Sequence, residues 1–289
     1  MNLVAVGLVL VSAFLHAFRD FLTKQGGDKQ LFIWWYRLVG LVIYFPFLVY
    51  FWKGSIPVGG WICIVASALV HILYWYTLGE AYQEGDLSLV YPIARSAPIF
   101  VLLWSGLVWQ EPMTTGGVTG VLIVVFGAYI LQMEGVSWQQ LLAPVLAMAH
   151  HRVIRMAWLT ALSVAVYSLI DDRGVELVHP FVYLYIFQAI GFVAYIPYLM
   201  RTRRGGMVAE WRAHRYRIGL AGMIAMAGYL LALYALQIER VGYVTAVRQL
   251  SIVFGVVLGS LLLGEPHGRI RLMAALVMFL GTVLIVVFG

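Results

Sequence analysis

The sequence predicts an all-α membrane protein: ten transmembrane helices arranged as two inverted five-helix repeats. Three observations predict it. Of 289 residues, 63% are hydrophobic and only 11% are charged, with a mean hydropathy of +0.90. A soluble domain of this size cannot hide that much apolar surface, so the bilayer is its solvent. Ten segments reach or approach the roughly 20 apolar residues that a spanning helix needs. And the chain repeats itself: shifted by 154 positions, Glu111–Pro112 falls on Glu265–Pro266, Gln83 on Gln237, Phe100 on Phe254 and Gly127 on Gly281.

The segments lie at about 2–21, 31–52, 58–81, 86–109, 114–133, 155–172, 179–200, 215–237, 241–263 and 268–288. The opening run lacks the basic start of a signal peptide and has a counterpart in the second half, so it reads as a mature helix. There "HAFRDFL" can be laid on "YSLIDDR" at a slightly different offset, matching Asp20 to Asp171. The division is therefore 1–134 for the first repeat, 135–152 for a linker and 153–289 for the second. Five is odd, so the repeats cross the membrane in opposite senses. Inverted repeats mark transporters, with the substrate site near the midplane at the repeat interface.

Lys and Arg in loops favour the cytoplasm. Fourteen, including Arg19, Arg37 and the run Arg201–Arg217, fall on one side and three (Lys53, Arg173, Arg240) on the other. The richer side lies opposite both termini, which places both termini outside the cytoplasm. The basic run between two membrane segments anchors topology and attracts anionic lipid rather than nucleic acid.

No enzyme signature stands out. His150 and His151 are adjacent, which is not the i, i+4 spacing of a helical metal pair. No phosphate loop occurs, and the sequence implies no metal and no cofactor. Asp171–Asp172, near a helix end beside Arg173, reads first as a solvated boundary pair. The single cysteine, Cys63, excludes an internal disulfide.

Polar residues inside the apolar segments carry more. A charge at bilayer depth costs roughly 2.5–3.5 kcal/mol or more and usually faces a cavity. Arg95 lies about ten residues into the fourth segment and Arg248 about seven into the ninth, one residue from equivalence. Tyr91, Arg95 and Ser96 share a helical side, and Thr245, Arg248 and Gln249 make a similar group. Pro92 and Pro98 bend the fourth segment, and irregular backbone at this depth is tolerated where it lines a cavity. The functional reading is two guanidinium groups facing a carboxylate or phosphate-like cargo. The structural reading pairs each with an acid such as Glu80, Asp86 or Glu239. In the first segment His16 can titrate, and Tyr167 holds the matching place in the sixth. His71, Tyr74 and Trp75 share a face of the third segment, as a cavity wall or as packing. "GGVTG" (116–120) and "GVVLG" (255–259) have the spacing of close helix contacts.

With "WQEP" ending the fourth helix and "LLLGEP" the ninth, the chain resembles EamA-type members of the drug/metabolite transporter superfamily. "LSLVYPIARSAPIF" is similar to that family's fourth-helix pattern. "LHAFRDFLTKQGGDK" resembles one branch, with Phe18–Arg19 in place of its Trp-Asn pair; some relatives there are associated with phosphonate use. The resemblance implies helices one to four and six to nine around a central cavity, five and ten at the periphery. It implies a secondary transporter in a bacterial inner membrane, monomeric or homodimeric, moving a small-molecule substrate among lipid. The expected cargo is an organic anion or zwitterion. The alternative is a cationic or amphipathic drug, against which stands the absence of any acid before Asp20. A lipid scramblase or embedded enzyme is a further rival.

Overall fold

A computed structural model describes residues 1–84, 93, 96–130, 152–263 and 269–289, without the side chains of 79–84, 259–263 and 269–271. All described elements are helical: α1 Leu3–Lys24, α2 Lys29–Phe51, α3 Val58–Glu84, α4 Ala97–Leu107, α5 Thr115–Ile130, α6 Arg152–Leu177, α7 Pro180–Thr202, α8 Met207–Leu236, α9 Val241–Val247, α10 Leu250–Leu263 and α11 Arg269–Phe288. Among the described residues seven stretches are long and apolar enough to cross a membrane: α1, α2, α3, α6, α7, α8, and α9 with α10. α4, α5 and the apolar part of α11 are shorter. Large apolar side chains such as Val42, Phe45, Val49 and Ile62 point outward and are exposed, which suits a lipid solvent and not water.

The ends of the helices follow ordinary capping chemistry. Asn2 caps α1 by accepting from the Val4 N–H at 2.8 Å, and Asp28 caps α2 by accepting from Gln30 and Leu31. His179 caps α7, accepting from the Phe181 N–H at 3.3 Å. Asp28 and His179 are 151 positions apart, as are the prolines inside α2 and α7, Pro46 and Pro197. The same shift that carries Asp20 to Asp171 therefore continues through the second helix of each half.

Helix packing carries the same signature. α1 packs along α8, and α6 along α3; α1 meets α10, and α6 meets α4; α2 meets α8, and α7 meets α3. α2 meets α7, and α5 pairs with α11, so these two pairs map onto themselves. The α5–α11 contact is close: a Cβ on Gly120 would sit 2.7 Å from the Gly281 carbonyl oxygen, and one on Gly281 would sit 2.8 Å from that of Gly120. In the second glycine-spaced motif, nothing lies within 4 Å of a Cβ built on Gly255.

The ninth segment is not one helix. Gln249 N–H bonds back to Ala246 at 3.0 Å and Ile252 N–H to Gln249 at 2.9 Å, i→i−3 bonds that break the α-helical ladder between α9 and α10. The fourth segment breaks at the same place: Ser96 N–H bonds to Ile93 and Ile99 N–H to Ser96, each at 3.0 Å. A shift of 153 superposes one pair of bonds on the other.

Candidate functional site

Asp171 is the centre of the best-connected polar group. It lies six residues before the end of α6, which is why the sequence reads as a solvated boundary, yet it is 1% exposed. The reason is that α3, α7 and α8 each deliver a hydroxyl to it. Ser67 donates to Oδ1 at 2.5 Å and Tyr183 to the same oxygen at 2.8 Å, while the Tyr229 hydroxyl donates to Oδ2. Three donors compensate the desolvation of a buried carboxylate. One turn along α3 from Ser67, His71 holds its Nδ1 2.9 Å from the Ser67 carbonyl oxygen, with Nε2 3.4 Å from the Tyr229 hydroxyl. Its ring is stacked between Tyr167 at 4.0 Å and Phe187 at 4.8 Å.

Beside this junction stands a guanidinium cluster. Arg37, well inside α2, places its guanidinium carbon 3.5 Å from the centre of the Trp75 ring. It donates to Gln188 Oε1 on α7 at 2.8 Å. Arg37 and Gln188 are themselves 151 positions apart, so equivalent sites of α2 and α7 touch each other. Gly191 lets this happen: a Cβ there would lie 2.9 Å from the Trp75 ring. Tyr195 borders Trp75 at 6.0 Å and Tyr74 borders Tyr167 at 5.7 Å. Tyr229 stands 154 positions after Trp75, and it too carries a guanidinium, that of Arg248, at 5.3 Å. Both rings gain cation–π attraction. Among the described residues, no carboxylate lies within 4.0 Å of Arg37 or Arg248. The Nε of Arg37 is buried with no hydrogen-bond partner among the described residues.

The structure thus brings together five of the sequence candidates: His71, Tyr74, Trp75, Tyr167 and Arg248. Among the described residues their rings pack against one another at this junction. Tyr91 and Arg95, with the acid Asp86, lie outside the described residues, as do His150 and His151. The Ser96 hydroxyl donates to the Ile93 carbonyl of its own segment, and Thr245 donates to Val241 and Gly242 of its own helix. Gln249, 7% exposed, has its Oε1 without a hydrogen-bond partner among the described residues. His16 sits nearer the end of α1, 3.3 Å from Asp20 and 3.2 Å from Arg19, whose guanidinium also bonds Asp20 at 2.6 Å. Glu239 accepts from the backbone of Asn2 and Arg240.

Two sequence readings need correction. Arg37 is not a loop charge, which reduces the basic side from fourteen to thirteen against three. Asp171 is not a solvated boundary residue. The signal for Arg37 was available: it follows "LFIWWY" and precedes "LVGLVIYF", the same intramembrane placement that singles out Arg95. Ser67, Tyr183, Gln188 and Tyr229 had no signal of their own, because neutral polar residues are common in membrane helices and only the fold gathers these four.

Comparison with known proteins gives the family. Two successive matches, over residues 3–133 and 151–287, fit the EamA-like transporter family. The chain belongs to that family. It is accordingly an integral multi-pass membrane protein and a transporter of the drug/metabolite superfamily, and the family is one of transporters, not enzymes. Among solved structures 29 chains match. One, a crystal structure, superposes with a TM-score of 0.72 at 14% identity, covering 97% of this chain and 96% of the other, a likeness of fold alone. Among curated proteins, none matches this EamA-like chain.

Proposed function

We propose that this transporter moves a small organic anion or zwitterion, amino-acid-like or phosphonate-like, across a bacterial inner membrane by alternating access. The observation that carries the reading is Arg37: a permanent charge within α2, over the Trp75 ring, with a neutral amide as its hydrogen-bond partner. Arg248 adds a second charge. The carboxylate facing Arg248, Asp171, already has its oxygens occupied by hydroxyls. A guanidinium left with bonding capacity at bilayer depth favours an anionic cargo group, since its planar fork matches a carboxylate or phosphonate. Export of cationic or amphipathic drugs is the alternative, and only the aromatic lining speaks for it.

The architecture in this proposal is ten spanning helices in two inverted repeats, 1–134 and 153–289. Supporting it are the two family matches, the paired helix contacts and the coincident backbone breaks. The site then lies where α2 and α7 meet, with α5 and α11 outside.

Proteoliposomes loaded separately with glutamate, methylphosphonate, a cationic dye and a labelled lipid test the reading. Saturable flux of either anion is expected, without dye or lipid movement. Dye flux alone would leave the alternative standing in its place. The orientation has its own test. A phosphatase fused after Gly289 is expected to be active and green fluorescent protein there to be dark, from the bias of thirteen to three. Bright fluorescence would reverse the orientation and leave the packing untouched.

A further inference from the structure

The contacts of His71 and Tyr229 do not balance in a single protonation state. The Ser67 carbonyl oxygen only accepts, so His71 Nδ1 carries a proton and donates to it at 2.9 Å. Tyr229 has one hydroxyl proton, and it is committed to Asp171 Oδ2. That leaves His71 Nε2, 3.4 Å from the same hydroxyl oxygen and enclosed between two rings, facing a tyrosine with no proton to give it. One added proton resolves this. If it binds Oδ2, the new carboxylic acid donates to the Tyr229 oxygen, and Tyr229 turns its own proton to Nε2. Every group then has a partner, and the direction of the chain Asp171–Tyr229–His71 is reversed.

We propose that Asp171, Tyr229 and His71 form a proton-binding site whose occupancy reverses the bond between α6 and α8 and adds one from α8 to α3. This rests on the transport reading for its purpose, which is to couple cargo movement to a proton. With Ser67 and Tyr183 still donating to Oδ1, the incoming proton goes to Oδ2 and no other bond breaks. The transfer needs only a hydronium ion from solvent. A neutral Asp171 also leaves Arg248 less opposed, so proton and anion binding favour each other. The charged and titratable groups facing the site are Cys63 and His71 on α3, Tyr183 on α7 and Tyr229 on α8. Arg248 acts from the break between α9 and α10, Arg37 acts on His71 from α2, and Asp172 and Tyr167 belong to α6 itself. Glu111, beyond α4, acts on Asp172.

Two measurements on the purified full chain test the site without any cargo, so their failure is separable from a failure to find flux. In the first, infrared spectra are recorded during a pH titration. Subtracting the titration of Asp171→Asn from that of the parent is expected to leave a protonated-carboxyl band that grows on acidification. In the second, spin labels replace Leu69 on α3 and Met223 on α8, both exposed, in a Cys63→Ser background. Their separation is expected to change with pH in the parent and to stay fixed in Asp171→Asn. Should that variant fold poorly, Tyr229→Phe keeps the ring and removes the relay: the band should persist at an altered frequency, and the separation should no longer follow pH. A difference between parent and Asp171→Asn that contains no such band overturns the proposal. So does a separation that answers to Na⁺ at fixed pH, or a Tyr229→Phe protein indistinguishable from the parent.

Discussion

Arg37→Ala is expected to abolish anion binding while the helix bundle stays folded. Two arguments set the size of the effect. Losing one partner of a desolvated, hydrogen-bonded charge pair costs about 2–5 kcal/mol, at least a thirtyfold loss of affinity. On the stability side the loss is small, because no described carboxylate within 4.0 Å is stranded. What goes is a cation–π contact with Trp75, worth about 2 kcal/mol when desolvated, and one bond to Gln188. Arg37→Lys should recover part of the binding, since a point charge remains while the planar fork is gone. The same purified variants serve for both readouts: melting temperature, and glutamate or methylphosphonate affinity by calorimetry. A low melting temperature with intact affinity would make Arg37 a packing element and remove the observation on which the substrate class rests.

How much of this was legible beforehand depends on how local each cause is. Spans are local: twenty apolar residues announce themselves, and the segments read from the sequence fall on the described helices to within about five residues, except at the fourth, where the described helix covers only Ala97–Leu107 and most of 86–95 lies outside the described residues, and at α8, which starts at Met207 instead of about 215. The reason is that its first turns carry Glu210, Arg212 and Arg215. Those charges lower the apolar signal without opposing a helix. The break after Val247 was hidden, since no proline or glycine marks it. His71, Tyr74 and Trp75 were legible because helical spacing puts them on one face. Asp171 was misread because its environment is assembled by three other helices, two of them distant in sequence. Tyr183 is near it in the chain, but Ser67 is 104 positions away and Tyr229 is 58. No window of sequence contains that carboxylate's donors. Arg37 differs, since its depth was readable and only its assignment to a loop hid it.

Glu210→Ala is expected to release the α1–α2 connection from α8. Glu210 stands in the first turn of α8 and is 7% exposed. Its Oε1 accepts from the Gly27 N–H at 3.1 Å and its Oε2 from the Asp28 N–H at 2.9 Å. The approach depends on glycine, because a Cβ on Gly27 would lie 2.8 Å from Oε2. Asp28 is held a second time, through Arg203 at 2.6 Å, and it is also the cap of α2. The basic end of the bundle is thus fastened by one carboxylate reaching across from the second half to the first. Removing it leaves two backbone donors without their charged acceptor. Each such loss costs about 1–3 kcal/mol when buried; with partial access to water we expect about 2 kcal/mol in all, or roughly thirtyfold faster amide exchange at Gly27 and Asp28. Glu210→Gln should fall between, keeping one acceptor. Gly27→Ala should imitate Glu210→Ala without touching the acid, since the added methyl displaces the carboxylate. Hydrogen exchange read by mass spectrometry over the peptide spanning residues 22–32 decides it. Protection there unchanged in Glu210→Ala would mean that the cap and Arg203 hold the connection unaided. Increased exchange together with faster entry of cargo from the basic side would make the clamp the closure that alternating access has to open at that end.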